Sequence, residues 1–104
     1  MNNNSYLGNA FSLQMISMDL WREGYSPMVS LVKEMPDLRS LTSCVGHPDT
    51  AKVLGVECNR VSISLKPGDI LYVAQLQGGR LPEGSTTLPE GFSFEFFKVE
   101  LGKN

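Results

Sequence analysis

The chain has 104 residues and a formal net charge of −2, so it suits one domain around one hydrophobic core. The slight negative charge argues against a protein that coats DNA through a broad basic surface, and no apolar run reaches membrane-spanning length. No secretory pattern is visible, so we expect a cytoplasmic location. The two cysteines, Cys44 and Cys58, lack zinc-site spacing, so we expect no metal and buried free thiols, with a disulfide between them as the alternative.

The first half of the chain predicts short extended segments. Residues 1–4 are expected to form a flexible tail ahead of a domain that spans residues 5–104. Residues 5–11 predict the first strand, whereas residues 28–35 fit either a strand or a short helix. Another strand is predicted within residues 38–45, which lead into the one histidine of the sequence.

That histidine lies in the motif Gly46-His47-Pro48-Asp49-Thr50, which precedes a short helix predicted over residues 49–54 and ended by Gly55. Pro48 fits the first helical turn and favours an extended backbone at His47, which puts His47 at the helix cap. Free N–H groups and the helix dipole favour an anion such as phosphate there, and histidine exchanges protons near neutral pH. His47 is therefore either a proton donor beside a phosphate or a plain helix cap.

The second half shows clearer periodicity. Residues 60–65 alternate apolar and polar side chains, and a Pro-Gly turn over residues 66–69 connects them to the apolar run 70–76, which predicts a hairpin with a central strand. A polar, glycine-rich loop over residues 77–87 leads to a final strand at residues 92–101, whose shift of phase indicates a β-bulge or two buried faces. The fold class expected is α+β: one domain with a mixed sheet of about five strands flanked by short helices.

Five polar residues near strand ends are candidates for binding an anionic ligand. Arg80 lies in the loop after the central strand and is suited to grip a phosphate with two hydrogen bonds, and Glu83 is placed to orient Arg80 or a ligand hydroxyl. The alternative is a solvated Arg–Glu pair on a surface turn. Arg60 opens a predicted strand, and Asn9 and Ser12 close the first one. Their alternatives are a solvated strand end and turn caps.

The missing motifs narrow the chemistry. The sequence holds no close carboxylate cluster, no phosphate-binding G-x-x-x-x-G-K loop and no G-x-S-x-G elbow. A phosphodiesterase built from these residues therefore needs a substrate that supplies its own nucleophile, as RNA does with its 2′-hydroxyl. The enzyme then positions the ester, stabilises negative charge and protonates the leaving 5′-oxygen.

Four segments, taken in order, resemble the viral ring nuclease family, small anti-CRISPR proteins of archaeal viruses and phages. They are Tyr-Leu-Gly-Asn-Ala-Phe-Ser-Leu at 6–13, Gly-His-Pro-Asp-Thr at 46–50, Asn-Arg-Val at 59–61 and Arg-Leu-Pro-Glu-Gly at 80–84. The resemblance implies a homodimer that binds cyclic tetra-adenylate across its two-fold axis. It implies cleavage without metal or cofactor into linear di-adenylates with 2′,3′-cyclic phosphate ends, which suppresses type III CRISPR signalling in the host cytoplasm.

The same resemblance implies roles for individual residues. His47 would be the general acid, Arg80 would stabilise charge on the scissile phosphate, and Glu83 would be the acidic partner in the same loop. Ligand contacts would come from Asn9, Ser12, Thr50 and Arg60.

Two other functions fit the same residues. The first is a non-catalytic dimer that sequesters the cyclic oligoadenylate, with His47 as a ligand contact only. The second is a small interaction or virion protein in which these motifs are structural. In that case no nucleotide would raise the melting temperature.

Overall fold

The computed structural model describes residues 4–34 and 36–103, and these form a five-stranded mixed sheet with short helices. This confirms the predicted α+β class. The strands are β1 (Ser5–Gly8), β2 (Tyr25–Leu31), β3 (Thr42–Ser43), β4 (Ile70–Gln77) and β5 (Ser93–Lys103). The helices are α1 (Met18–Arg22) and α2 (Pro48–Leu54), with 3₁₀ turns at Leu13–Met15 and Leu38–Ser40. Apart from Asn4, the predicted tail lies outside the described residues.

The order of the strands brings three strand ends to one edge of the sheet. The order is β2-β5-β4-β1-β3, with β1 parallel to both β3 and β4, and β5 antiparallel to β2 and β4. Because parallel strands run in the same direction, the carboxyl ends of β1, β3 and β4 lie side by side. In open sheets this is the edge where ligands commonly bind.

The sheet has a buried core on each face. Along β4, Leu71 and Val73 point to one face while Ala74 points to the other, as the two-residue period of a strand requires. Helix α2 covers the second of these faces through Ala51, which is buried. Strand β4 is therefore covered on both sides, and this explains its nearly continuous apolar sequence.

The hairpin predicted for residues 60–65 and 70–76 is wrong. Residues 57–66 form no strand, and β4 pairs with β1 and β5 instead. The alternation reports burial only in part, because Leu65 is buried and Ile63 half-buried but Val61 is 54% exposed. The Leu65 N–H donates to the carbonyl of Met15 at 2.7 Å, so this segment packs across a face of the sheet without joining its ladder.

The turn before β4 forms as predicted and is held by a buried carboxylate. The backbone N–H of Asp69 donates to the Lys66 carbonyl at 2.9 Å. The Asp69 side chain, only 4% exposed, accepts hydrogen bonds from the N–H groups of Lys66 and Asn4, both at 3.1 Å. These bonds fix the start of β4 next to β1.

The structure of β5 accounts for the shift in its apolar–polar alternation. Strand β5 keeps a continuous register with both β2 and β4, so the alternative with two buried faces is the correct one. Phe94 and Phe96 pack against the core beneath α2, whereas Phe97, Val99 and Leu101 belong to the opposite core. The shift marks the point along β5 where the covered face changes.

Two further expectations for the first half are settled. Of the two options for residues 28–35, the strand is correct for the part within β2. The strand predicted within residues 38–45 is limited to β3, because Asp37 caps a 3₁₀ turn at Leu38–Ser40.

Of the helices in the part of the chain that the structure describes, neither has the length and apolar character needed to cross a bilayer.

The two cysteines are free, as expected, but differ in exposure. Cys44 is half-buried and its thiol donates to the Leu7 carbonyl at 3.2 Å. Burial raises the pKa of Cys44 above its ordinary value. Cys58 is exposed, so the prediction that it is buried is wrong. It lies in the irregular segment between α2 and β4, where no strand covers it.

We expect Cys58 to react with iodoacetamide much faster than Cys44 near neutral pH. The thiolate is the nucleophile, and the raised pKa leaves Cys44 with less thiolate at a given pH, so its rate should climb only as the pH rises toward that pKa. Peptide mapping by mass after timed alkylation measures both rates, and the Cys58→Ser variant isolates Cys44. Equal rates at both positions would contradict the prediction.

Candidate functional site

An open groove with a volume of about 900 Å³ lies at the edge where the carboxyl ends of the parallel strands meet. This volume is in the range of about 300–1,000 Å³ that is typical of small-ligand sites. The groove is lined by residues from separate segments: the end of β1, the first turn of α2, and the loop between β4 and β5. The predicted site residues that line it are Asn9, His47, Thr50, Arg80 and Glu83.

His47 is the N-cap residue of α2, but its imidazole makes no hydrogen bond to the helix. Its backbone is extended, with φ −101° and ψ 121°, and Pro48 follows at the start of the helix, as the sequence predicted. The side chain is exposed and makes no hydrogen bond to the helix terminus. His47 is therefore the cap of α2 by its backbone alone, and its imidazole lines the groove.

The start of α2 is a poor anion site, contrary to our expectation. The helix has only seven residues. Pro48 supplies no N–H, and Asp49 already places a negative charge in the first turn. A phosphate in the groove would be repelled by this carboxylate. Binding of an anion must therefore depend on a cationic side chain from another segment.

Arg80 places a cationic side chain at the groove, on the loop that leaves β4. Gly78 and Gly79 both have positive φ, of 110° and 119°, and turn the chain away from the strand. Ion pairs among the described residues join Asp19 to Arg22 and Lys98 to Glu100 only. The alternative of a surface Arg80–Glu83 pair is therefore not what forms, and both side chains are exposed at the groove.

The loop continues into a tight turn over residues 82–85. The N–H and the hydroxyl of Ser85 both donate to the Pro82 carbonyl, at 3.2 and 2.6 Å. Gly84 is the third residue of the turn with φ 79°, the value that a type II turn requires there. The Gly84 N–H donates to Oδ2 of Asp49 at 3.1 Å, which joins the loop to the first turn of α2.

Two predicted ligand residues lie outside the groove lining. Arg60 donates from Nε to the Gly46 carbonyl at 2.8 Å, and its side chain lies against Gly46 so closely that a Cβ there would be 2.8 Å from the Arg60 Cγ. It thus braces the residue that precedes His47. Ser12 accepts a hydrogen bond from the Gln14 N–H at 3.2 Å and caps the 3₁₀ turn that follows. This matches the capping alternative for Ser12.

Sequence reasoning missed some residues that line the groove. Leu76 and Leu81 add apolar surface, and Asp49 links two of its walls. Asp49 was visible in the motif around His47, but its partner, Gly84, is 35 residues away in the sequence. No local pattern reports a contact of that kind.

Comparison with known proteins gives a family but no activity. No curated protein matches the chain. The solved structure of B116 of Sulfolobus turreted icosahedral virus (STIV) is similar with a TM-score of 0.68, 19% sequence identity, and coverage of 94% of this chain and 99% of that chain. At that identity the likeness shows the fold alone. A family model described as STIV B116-like matches residues 5–94. The chain therefore belongs to the STIV B116-like family.

Proposed function

We propose that this protein is a metal-independent ring nuclease that cleaves cyclic tetra-adenylate and thereby suppresses type III CRISPR signalling. The observation that supports it best is the convergence of His47, Arg80 and Glu83 on one groove, with none of the three engaged in an ion pair among the described residues. They match a proton donor, a phosphate-binding cation and an acidic partner. A viral role in the host cytoplasm is part of the proposal, which the viral source of B116 supports.

The reaction needs only groups that the substrate and these residues supply. The ribose 2′-oxygen attacks the adjacent phosphorus, the O2′–P bond forms as the 2′-hydroxyl proton passes to solvent, and the P–O5′ bond breaks. His47 donates a proton to the leaving 5′-oxygen, and Arg80 stabilises the charge that builds on the phosphoryl oxygens. Glu83 orients Arg80 or a ribose hydroxyl. The product of each cut is a 2′,3′-cyclic phosphate.

The proposal includes a homodimer with the ring across its two-fold axis. One copy offers one His47 and one Arg80, and the groove is open and exposed. Cyclic tetra-adenylate is itself symmetric, so two copies related by a two-fold axis would present equal residue sets to opposite phosphates. Two cuts then give two linear di-adenylates.

One observation favours the sequestering alternative. Among the described residues no hydrogen bond is made by the His47 side chain, whereas a general acid is usually oriented by a partner. Under this alternative Arg80 still grips the phosphate, but the ring stays intact in the dimer. The two functions make opposite predictions for the products.

We expect the purified protein, in EDTA, to convert cyclic tetra-adenylate into linear di-adenylate with a 2′,3′-cyclic phosphate. Product masses measure this directly, and cyclic hexa-adenylate tests the preferred ring size. An intact ring that co-elutes with the dimer would favour sequestration. An intact ring that fails to bind would contradict the proposed ligand altogether.

A further inference from the structure

The loop between β4 and β5, residues 78–92, is held to the rest of the protein by one hydrogen bond from its backbone. Within residues 4–34 and 36–103, its other backbone hydrogen bonds, Ser85 to Pro82 and Phe92 to Pro89, stay inside the loop. The exception is the bond from the Gly84 N–H to Asp49 Oδ2, at 3.1 Å. This loop contains both Arg80 and Glu83, so the bond joins the arginine side of the groove to the histidine side.

The direction in which the Gly84 N–H points depends on the type of turn. The Gly84 N–H belongs to the central peptide of the turn over residues 82–85, and type I and type II turns differ mainly in the orientation of that peptide. With Gly84 at φ 79°, the N–H faces the Asp49 carboxylate. Flipping the peptide to type I would turn a carbonyl toward the same carboxylate. The acceptor oxygen of Asp49 therefore favours the form of the turn in which the Gly84 N–H faces it.

The acceptor is rigidly tied to His47. Asp49 lies in the first turn of α2, two residues after His47, and the Ala51 N–H donates to the His47 carbonyl at 3.0 Å to start the helix. Asp49 is half-buried, so its side chain has less freedom than one in open solvent. The glycines at the ends of the loop, Gly78, Gly79 and Gly91, give its backbone wide freedom unless something holds it.

We propose that Asp49 is a positioning residue that fixes the turn over residues 82–85 and so keeps Arg80 and Glu83 facing His47. Its effect on cleavage rests on the proposed ring nuclease function, whereas its effect on the loop does not. Asp49 itself touches no reacting atom in this scheme. The Asp49 carboxylate disfavours an anion at the start of α2, and its hydrogen bond to Gly84 holds the loop in one position.

The test compares Asp49→Ala with Asp49→Asn in the full chain. Alanine removes the acceptor, whereas asparagine keeps an acceptor oxygen and loses the charge. Gly84→Ala attacks the same bond from the other side, because alanine disfavours positive φ. Asp19→Ala is the matched control, since Asp19 is the first-turn carboxylate of α1 and does not line the groove. Thermal melting confirms that each variant folds.

Amide hydrogen exchange without nucleotide gives the first readout. We expect Asp49→Ala and Gly84→Ala to speed exchange within residues 78–92, while β4 and β5 keep their protection and Asp49→Asn and Asp19→Ala resemble the wild type. Unchanged exchange in Asp49→Ala would overturn the anchor, whatever the protein does to cyclic tetra-adenylate.

Cleavage of cyclic tetra-adenylate gives the second readout. We expect kcat to fall ~10–10²-fold in Asp49→Ala, the loss typical of a misplaced catalytic group, with recovery in Asp49→Asn. The double variant Asp49→Ala with Gly84→Ala should be no worse than either single one, because both remove the same bond. Faster loop exchange with unchanged kcat would overturn the positioning role. Absence of cleavage in the wild type would overturn the proposed function and leave the anchor to the exchange data.

Discussion

Replacing His47 with alanine is expected to slow ring cleavage by ~10²–10⁴-fold, the usual contribution of a general acid, while the protein still binds the ring. The 5′-alkoxide is a poor leaving group, and without the imidazole it must take its proton from water. Ring binding should persist because Arg80 still grips the phosphate. Single-turnover cleavage with protein in excess measures the chemical step, and calorimetric titration with the ring measures binding.

The same variant separates catalysis from folding. The His47 side chain is exposed and makes no hydrogen bond to the start of α2, so its loss should leave the melting temperature unchanged. His47→Gln is the matched control, since it keeps a polar side chain of similar reach that cannot act as an acid at neutral pH. Wild-type rates in both variants would remove His47 from the mechanism.

Replacing Arg80 with alanine is expected to reduce cleavage by ~10²–10³-fold, the cost of losing one donor that stabilises transition-state charge. Ring binding should weaken as well, because the Asp49 carboxylate at the start of α2 repels a phosphate and cannot replace the lost cation. The measurements are again single-turnover rate and titration. Their expected pattern differs from that of His47→Ala, in which binding survives.

Arg80→Lys and Arg39→Ala sharpen this result. Lysine keeps the charge but cannot form two parallel hydrogen bonds to a phosphate, so we expect partial recovery. Arg39 is an exposed arginine in the 3₁₀ turn before β3, outside the groove, and its loss should change neither rate nor binding. If Arg39→Ala were as damaging as Arg80→Ala, a general loss of positive charge would be the better explanation.

Local patterns in the sequence predict burial better than strand pairing. The alternation at residues 60–65 marked Leu65 as buried correctly and Val61 wrongly. This segment crosses a face of the sheet, and β1 and β5 take the places beside β4. A two-residue period is satisfied by any extended segment with one side against the core. Pairing depends on segments far apart in the chain, which no local window contains.

In the candidate site, too, features set by neighbouring residues were predicted and contacts between distant residues were not. The position of His47 before Pro48 and that of Arg80 after a central strand follow from neighbouring residues, and both were predicted. Arg60 was assigned as a ligand contact from the family resemblance, but its Nε–H donates to the Gly46 carbonyl. The link from Asp49 to Gly84 was missed because it is a property of the folded chain.

The place of β5 in the sheet has a consequence for synthesis. Among the described strands, β2 pairs only with β5, whose residues leave the ribosome after those of all the others. Until then a nascent chain displays β2 with neither of its edges paired. Translation pauses ahead of residue 93 would lengthen the time for which β2 stays unpaired, and a chaperone that binds extended segments would act mainly during that time.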